Sequence, residues 1–310
     1  MSPSILGLIF AFLFVTIESA QFVYFGGLFQ QMDLFQFGFL VFGLIALVFI
    51  GWAAIFNPQQ LKTAFSMPRQ LIAVNLGALV TFSAYLMSVQ LLEPAITYTI
   101  SSGTMPITAY VLYRLGVREG EPMRNGPEAV GNLLIFLSII FLAMITVLGY
   151  SGFVRGDSSK AILGILLAIT DGIFFTLILV YSQRLNKAGV QPAVVLGIRL
   201  PLYVLVTGFV AYGAGRELAP LDQSEIVFFV LLGFLLTVPP LYFLQKAVSM
   251  LTTLTISAIT ALGPFIIFML QMVEGRIDYS QVTLMGLTIY IIGAILASWG
   301  AVKATASRAV

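Results

Sequence analysis

The chain has 310 residues, of which 59% are hydrophobic and only 9% charged, with a net charge of +2 and a mean hydropathy of +1.03. Soluble domains carry about 25% charged residues, so this composition excludes an ordinary soluble domain and points to a polytopic membrane protein. Zero Cys and zero His exclude thiol nucleophiles, disulfides, the usual zinc and haem sites and a histidine relay, and the absence of a basic run excludes a nucleic-acid partner.

A helix needs about 20 apolar residues to cross the hydrocarbon core. Segments of that kind run over residues 4–26, 36–56, 69–91, 95–117, 128–149, 161–184, 191–213, 225–248, 250–272 and 280–302. Met1-Ser2-Pro3-Ser4 lacks the positive n-region of a signal peptide, so the first segment is expected to be a retained span. Turn chemistry separates the segments: Asn57-Pro58, Glu93-Pro94, Asn125-Gly126-Pro127, Gly156-Asp157, Gly189 to Pro192, Pro220 to Asp222 and Glu274-Gly275. The joint between the eighth and ninth segments, near Ser249, has the weakest signal.

The two halves repeat each other. Gly7, Ala11, Tyr24 and Leu28 recur 157 positions later as Gly164, Ala168, Tyr181 and Leu185. Leu76-Gly77 and Thr81 recur as Leu232-Gly233 and Thr237, Pro106 as Pro264, Glu119-Gly120 as Glu274-Gly275, and Gly131 as Gly286. Leu-rich and Gly-rich helices align easily, but spaced matches in one consistent order argue against chance. Internal repeats in an apolar chain mark secondary transporters, whose substrate site lies between the halves near the midplane. The expected organisation is one integral domain of two five-helix repeats, residues 1–150 and 151–310.

Basic residues set the orientation. With the N-terminus inside, ten Lys and Arg are cytoplasmic (Lys62, Arg69, Arg114, Arg118, Arg124, Arg184, Lys187, Lys246, Lys303, Arg308). Four are outside (Arg155, Lys160, Arg216, Arg276), and Arg199 falls within the seventh segment. Both termini are therefore expected in the cytoplasm. Five is an odd number, so the second half enters the membrane in the opposite sense. The sequence thus predicts an all-α membrane protein of ten transmembrane helices arranged as a 5+5 inverted repeat.

These features resemble the drug/metabolite transporter (DMT) superfamily, particularly the EamA-type permeases of bacteria. The residues that carry the resemblance are Gly7/Ala11, Gly164/Ala168, the small-residue runs to Pro106 and Pro264, Glu119-Gly120 and Glu274-Gly275. It covers essentially the whole chain. Two departures stand out: the tryptophan common in the first and sixth spans of such proteins is missing, the only two being Trp52 and Trp299. The intramembrane arginine of the second and seventh spans survives only as Arg199, with Phe42 at the aligned position.

Three ionisable residues lie deep in the expected spans: Glu18, Asp171 and Arg199. At about 1.5 Å per residue, Glu18 is roughly 21 Å and Asp171 roughly 18–20 Å from the cytoplasmic ends of their helices, and Arg199 is roughly 12 Å in. Charges at such depth are costly and normally face a cavity or a partner. A proton-accepting or cation-holding role suits Glu18 or Asp171; an ion pair of Asp171 with Arg199 is the structural alternative. Hydroxyl stripes at helical spacing follow in the fourth segment (Thr97, Ser101, Thr104, Thr108) and the ninth (Thr253, Ser257, Thr260, ending at Pro264). Aligned on the two prolines, Thr99 and Ser102 correspond to Ser257 and Thr260. Such stripes line a cavity or let helices approach closely. Gln21, Tyr24, Phe82, Tyr85, Tyr98 and Tyr242 complete the candidate pocket, although most aromatics in so Phe-rich a chain pack against lipid or other helices. Pro106, Pro201, Pro239-Pro240 and Pro264 are expected to interrupt helices where the backbone could bend.

No enzyme emerges, because a Ser/His or Cys/His arrangement is impossible and no phosphate-cradling Gly-Lys-Thr motif occurs. No metal and no cofactor are expected. The resemblance implies a secondary carrier of the bacterial inner membrane that exports amino acids or similar small organic metabolites, and the inverted repeat implies alternating access; if the carrier is proton-coupled, a deep acid is the group that would take up the proton. Two alternatives stand beside it: uptake of a cationic amine caged by acids and tyrosines, and a channel or non-transporting scaffold. Its partners would be the lipid bilayer and a small-molecule substrate; a homodimer is compatible but not required.

Overall fold

Proline opens helix after helix in this chain. Pro58, Pro94, Pro127, Pro192, Pro201 and Pro264 each occupy the first turn of a helix, where the missing N–H has no intrahelical acceptor to serve and the fixed φ suits the helix. Elsewhere side chains cap the start: Asn125 accepts from the Glu128 amide, and Asp222 and Glu225 form a reciprocal capping box. In this computed structural model, which describes residues 3–28, 33–117, 119, 122–123, 125–154, 156–213, 222–275 and 277–306, the outcome is all-α.

The helices are α1 (Pro3–Leu28), α2 (Leu34–Phe37), α3 (Gly43–Phe56), α4 (Pro58–Phe65), α5 (Pro68–Leu91), α6 (Pro94–Arg114) and α7 (Gly126–Val147). They continue as α8 (Ser158–Lys187), α9 (Pro192–Ile198), α10 (Pro201–Gly208), α11 (Gln223–Met250), α12 (Thr253–Thr260), α13 (Gly263–Glu274) and α14 (Gln281–Ala306). A π-helical turn, Gly38–Phe42, fuses α2 to α3, and another, Phe209–Gly213, extends α10. Eight described stretches are long and apolar enough to cross a membrane. The protein is therefore a multi-pass helical membrane protein. The two remaining expected spans differ from these. α6 is long enough but carries Thr, Ser and Tyr along its length, and the ninth segment breaks at 261–262 into two short helices, α12 and α13.

The expected prolines therefore behave unequally. Pro201 and Pro264 each follow a break, whereas Pro106 and Pro239-Pro240 lie inside continuous helices. The joint expected near Ser249 falls at Leu251–Thr252, two residues further on. α4 is a short extra helix that the apolar pattern did not announce. Arg118, Gly120, Arg124, Arg155, Arg216, Pro220, Arg276 and Arg308, used above for orientation, repeat or turns, lie outside the described residues.

The chain forms two compact units, each drawing on both sequence halves: residues 1–86 with 177–251, and residues 87–176 with 252–310. In the first unit, Gly7 packs on Met250 and Leu251, Phe10 stacks on Phe243 and Gln21 bonds Thr237, so α1 and α11 run antiparallel. Gly197 of α9 meets Phe49 and Ile50 of α3, while Tyr203 of α10 meets Gly38, which makes that pairing antiparallel too.

In the second unit α7 and α14 meet along their length. The Asn125 amide donates to the Gly300 carbonyl, Gly131 abuts the backbone of Gly293 and Ala297, and the Ser138 hydroxyl donates to the Gly286 carbonyl, an antiparallel seam. Gly286, Gly293 and Gly300 recur every seven residues, and a Cβ at any of them would collide with α7 or its cap. Small residues let apolar helices approach to backbone contact where no hydrophobic force draws them together. α6 and α13 are likewise antiparallel, through Glu93 with Gln271 at one end and Tyr98 against Gly263 further in.

Candidate functional site

In the first unit the polar and aromatic candidates converge on a break in a helix. Pro201 has no N–H to donate to Gly197, whose carbonyl accepts from Leu200 instead. The next rung is missing as well. Asn75 of α5 replaces it: its amide N–H donates to the Ile198 carbonyl at 2.8 Å, and its side-chain oxygen accepts from the Leu202 N–H at 3.2 Å. One side chain thus satisfies two of the backbone groups that the break would orphan. Arg199 sits in that break, only 1% exposed. Its guanidinium lies over the Phe82 ring, 5.9 Å from the centroid. Phe82 in turn packs on Phe42 (4.7 Å) and Tyr203 (5.6 Å), and Phe42 on Tyr203 (5.0 Å). Arg199 Nε, Nη1 and Nη2 find no hydrogen-bond partner among the described residues.

Asp171, in the second unit, accepts from Ser101 of α6, with the hydroxyl 2.6 Å from its Oδ2.

The other first-unit candidates are spread along α1, α5 and α11. Glu18 is half-buried. Gln21, one turn on, donates to the Thr237 hydroxyl at 3.1 Å, and Phe22 packs on Tyr85 with centroids 4.4 Å apart. Tyr24 is 39% exposed, and Tyr242 is half-buried beneath the Lys246 ammonium. The sequence grouped these residues in one pocket; within this unit, Phe82, Tyr85 and Arg199 are buried whereas Tyr24 is not.

In the second unit the hydroxyl stripe of α6 is buried. Thr97, Ser101, Thr104 and Thr108 all lie inside. Thr104 and Thr108 donate back to carbonyls of their own helix, the packing role such residues commonly take. Ser101 departs from that pattern by reaching Asp171, which is 5% exposed. Ser102 bonds the Tyr290 hydroxyl at 2.8 Å, Tyr98 is buried against Gly263, and Thr260 is buried. The side chain of Ser257 lies outside the described residues. Two apolar clefts, of 360 and 330 Å³, lie on this unit near Leu166 and Ile259, and neither is lined by these polar groups.

Sequence reasoning passed over one cluster altogether. Glu93, treated above as a boundary marker, is fully buried and accepts three hydrogen bonds: from Gln271 Nε2 (2.5 Å), the Gly152 amide (3.0 Å) and the Thr283 hydroxyl (3.3 Å). A single antiparallel bridge between Leu92 and Val154 brings the Gly152 backbone within reach. Burial pushes the Glu93 carboxyl above its ordinary value, against the lowering pull of its three donors. The signal that could have found it was an acid beside a proline in a chain with so few charges.

No family model matches the chain, and no curated protein matches it. Among solved structures, a crystal structure described only as that of a protein superposes with a TM-score of 0.65, at 18% identity over 96% of each chain. At that identity the likeness is one of fold.

Proposed function

We propose that this chain is a secondary carrier of the drug/metabolite transporter superfamily, of EamA type, which crosses the bacterial inner membrane ten times as a 5+5 inverted repeat and exports amino acids or similar small organic metabolites by alternating access. The observation that carries the proposal is helix polarity. Spans five positions apart are repeat-related, and in the order of the ten expected spans α3 pairs with α9 and α10, α6 with α13, and α7 with α14. All three pairs run antiparallel, as an inverted repeat requires.

Polarity also supports the two spans that length and hydropathy leave out. The antiparallel run of α1 against α11 fits a first and an eighth crossing with α6 crossing between them. The antiparallel run of α7 against α14 fits α12 and α13 crossing together. The fold likeness over 96% of each chain supports one integral architecture. Both termini then face the cytoplasm by the excess of basic residues there. Among the deep acids, Glu18 and Asp171 are the proton-accepting candidates, Glu18 bordered by Gln21 and Phe22 one turn on.

The test is counterflow in proteoliposomes, where a carrier exchanges labelled for unlabelled amino acid and a scaffold does not. A parallel test places single cysteines in this Cys-free chain: Lys62→Cys should label from the cytoplasmic side and Asp157→Cys from the outside. The reverse pattern overturns the topology. Glu18→Gln should abolish pH-driven transport while leaving insertion intact; full pH-driven activity removes Glu18 from the coupling role.

A further inference from the structure

A buried cation with no hydrogen bond is an unusual object. Arginine is almost always ionised and has five N–H donors, and burying them without acceptors costs several kcal/mol. Arg199 is 1% exposed, and none of its three nitrogens meets an acceptor among the described residues. It is also held in place: Asn75 splices the break on both sides of it, and Phe82 supports the guanidinium from one face. A side chain positioned this closely and left unsatisfied is complementary to something that arrives.

We propose that Arg199 anchors an anionic ligand, an organic monocarboxylate with a flat apolar body. The planar guanidinium fork matches the two oxygens of a carboxylate. One buried cation balances one negative charge; a phosphate dianion would call for a second cation that the Phe42, Phe82 and Tyr203 wall does not supply. Those rings offer stacking surface to an aromatic or other flat group. The inference deepens the carrier reading and rests on it in one respect: a group this buried must be uncovered at some stage of a cycle for a ligand to reach it.

The experiment uses the full chain in detergent and three probes, phenylacetate, its neutral amide phenylacetamide, and acetate. Phenylacetate should raise the unfolding temperature in proportion to the logarithm of its concentration, as ligand linkage requires, while phenylacetamide and acetate should not. By isothermal titration, Arg199→Met should bind phenylacetate at least about 30-fold more weakly, and Phe82→Leu more weakly than wild type. Equal shifts from the acid and the amide, no shift from phenylacetate, or unchanged binding by Arg199→Met would each overturn the proposal. So would a collapse in stability of Arg199→Met, since a cation without hydrogen bonds forfeits only its contact with the Phe82 ring on removal. Phenylacetate binding without any counterflow would sink the carrier reading and leave the anion site standing; counterflow without that binding would do the reverse.

Discussion

Glu93 and Arg199 are both buried charges at the ends of helices, and they are treated in opposite ways. Glu93, in the second unit, is met by donors from the 150s loop, α13 and the start of α14, three bonds in all. Arg199, in the first unit, is met by none among the described residues, although Asn75 beside it satisfies the Ile198 carbonyl and the Leu202 N–H across the helix break. A charge that the fold has already neutralised by hydrogen bonding ties elements together. A charge that the fold positions and leaves open is available to a ligand.

The largest test of that contrast is Glu93→Ala. It would strand the Gln271 amide, the Gly152 N–H and the Thr283 hydroxyl, and should cost about 3–5 kcal/mol, seen as a lower thermal midpoint in detergent. The same carboxyl should make stability depend on pH. Its folded value is raised above the ordinary 4.5, so the unfolded chain ionises first and the folded chain holds the extra proton between the two values. Stability should therefore be highest below that window and fall as pH rises through it. In Glu93→Gln this slope should vanish; an identical slope would assign the titration elsewhere.

Asn75→Leu should come next, at about 2–4 kcal/mol, because the Ile198 carbonyl and the Leu202 N–H both lose their partner. A stable Asn75→Leu would mean that the break is held by something other than this amide. Asp171→Asn should cost less than about 1 kcal/mol, since the amide oxygen can still accept from Ser101. Loss of transport in that stable mutant would move the coupling role to Asp171. Arg199→Met should lose at most about 1 kcal/mol, the worth of its contact with the Phe82 ring, and a loss comparable to Glu93→Ala would erase the contrast between the two charges.

Much of the helical layout was legible because it rests on local chemistry: apolar length, and proline or a capping side chain at the start. The depth of Glu18, Asp171 and Arg199 was legible for the same reason. Their partners were not, because which helices meet is decided by packing that no short stretch encodes. Asp171 meets Ser101 of α6, a partner 70 residues away in the chain. The break after Ala261 was hidden inside an apolar run, with Gly263-Pro264 its only trace. Glu93 was misjudged because an acid beside a proline at a span end looks like a solvated turn, whereas the 150s loop, Gln271 and Thr283, all distant in sequence, close over it.

The glycines of α14 have a mechanical consequence. Because Gly293 and Gly300 receive the backbone of α7 and Gly286 its Leu142 side chain so closely that a Cβ would clash, a residue other than glycine brought to the first two positions would meet main chain. The next register that restores glycine to glycine lies seven residues away, a displacement of about 10.5 Å. The two helices are keyed to one another like a shaft in a slot, and a motion that keeps this packing carries them as a single body.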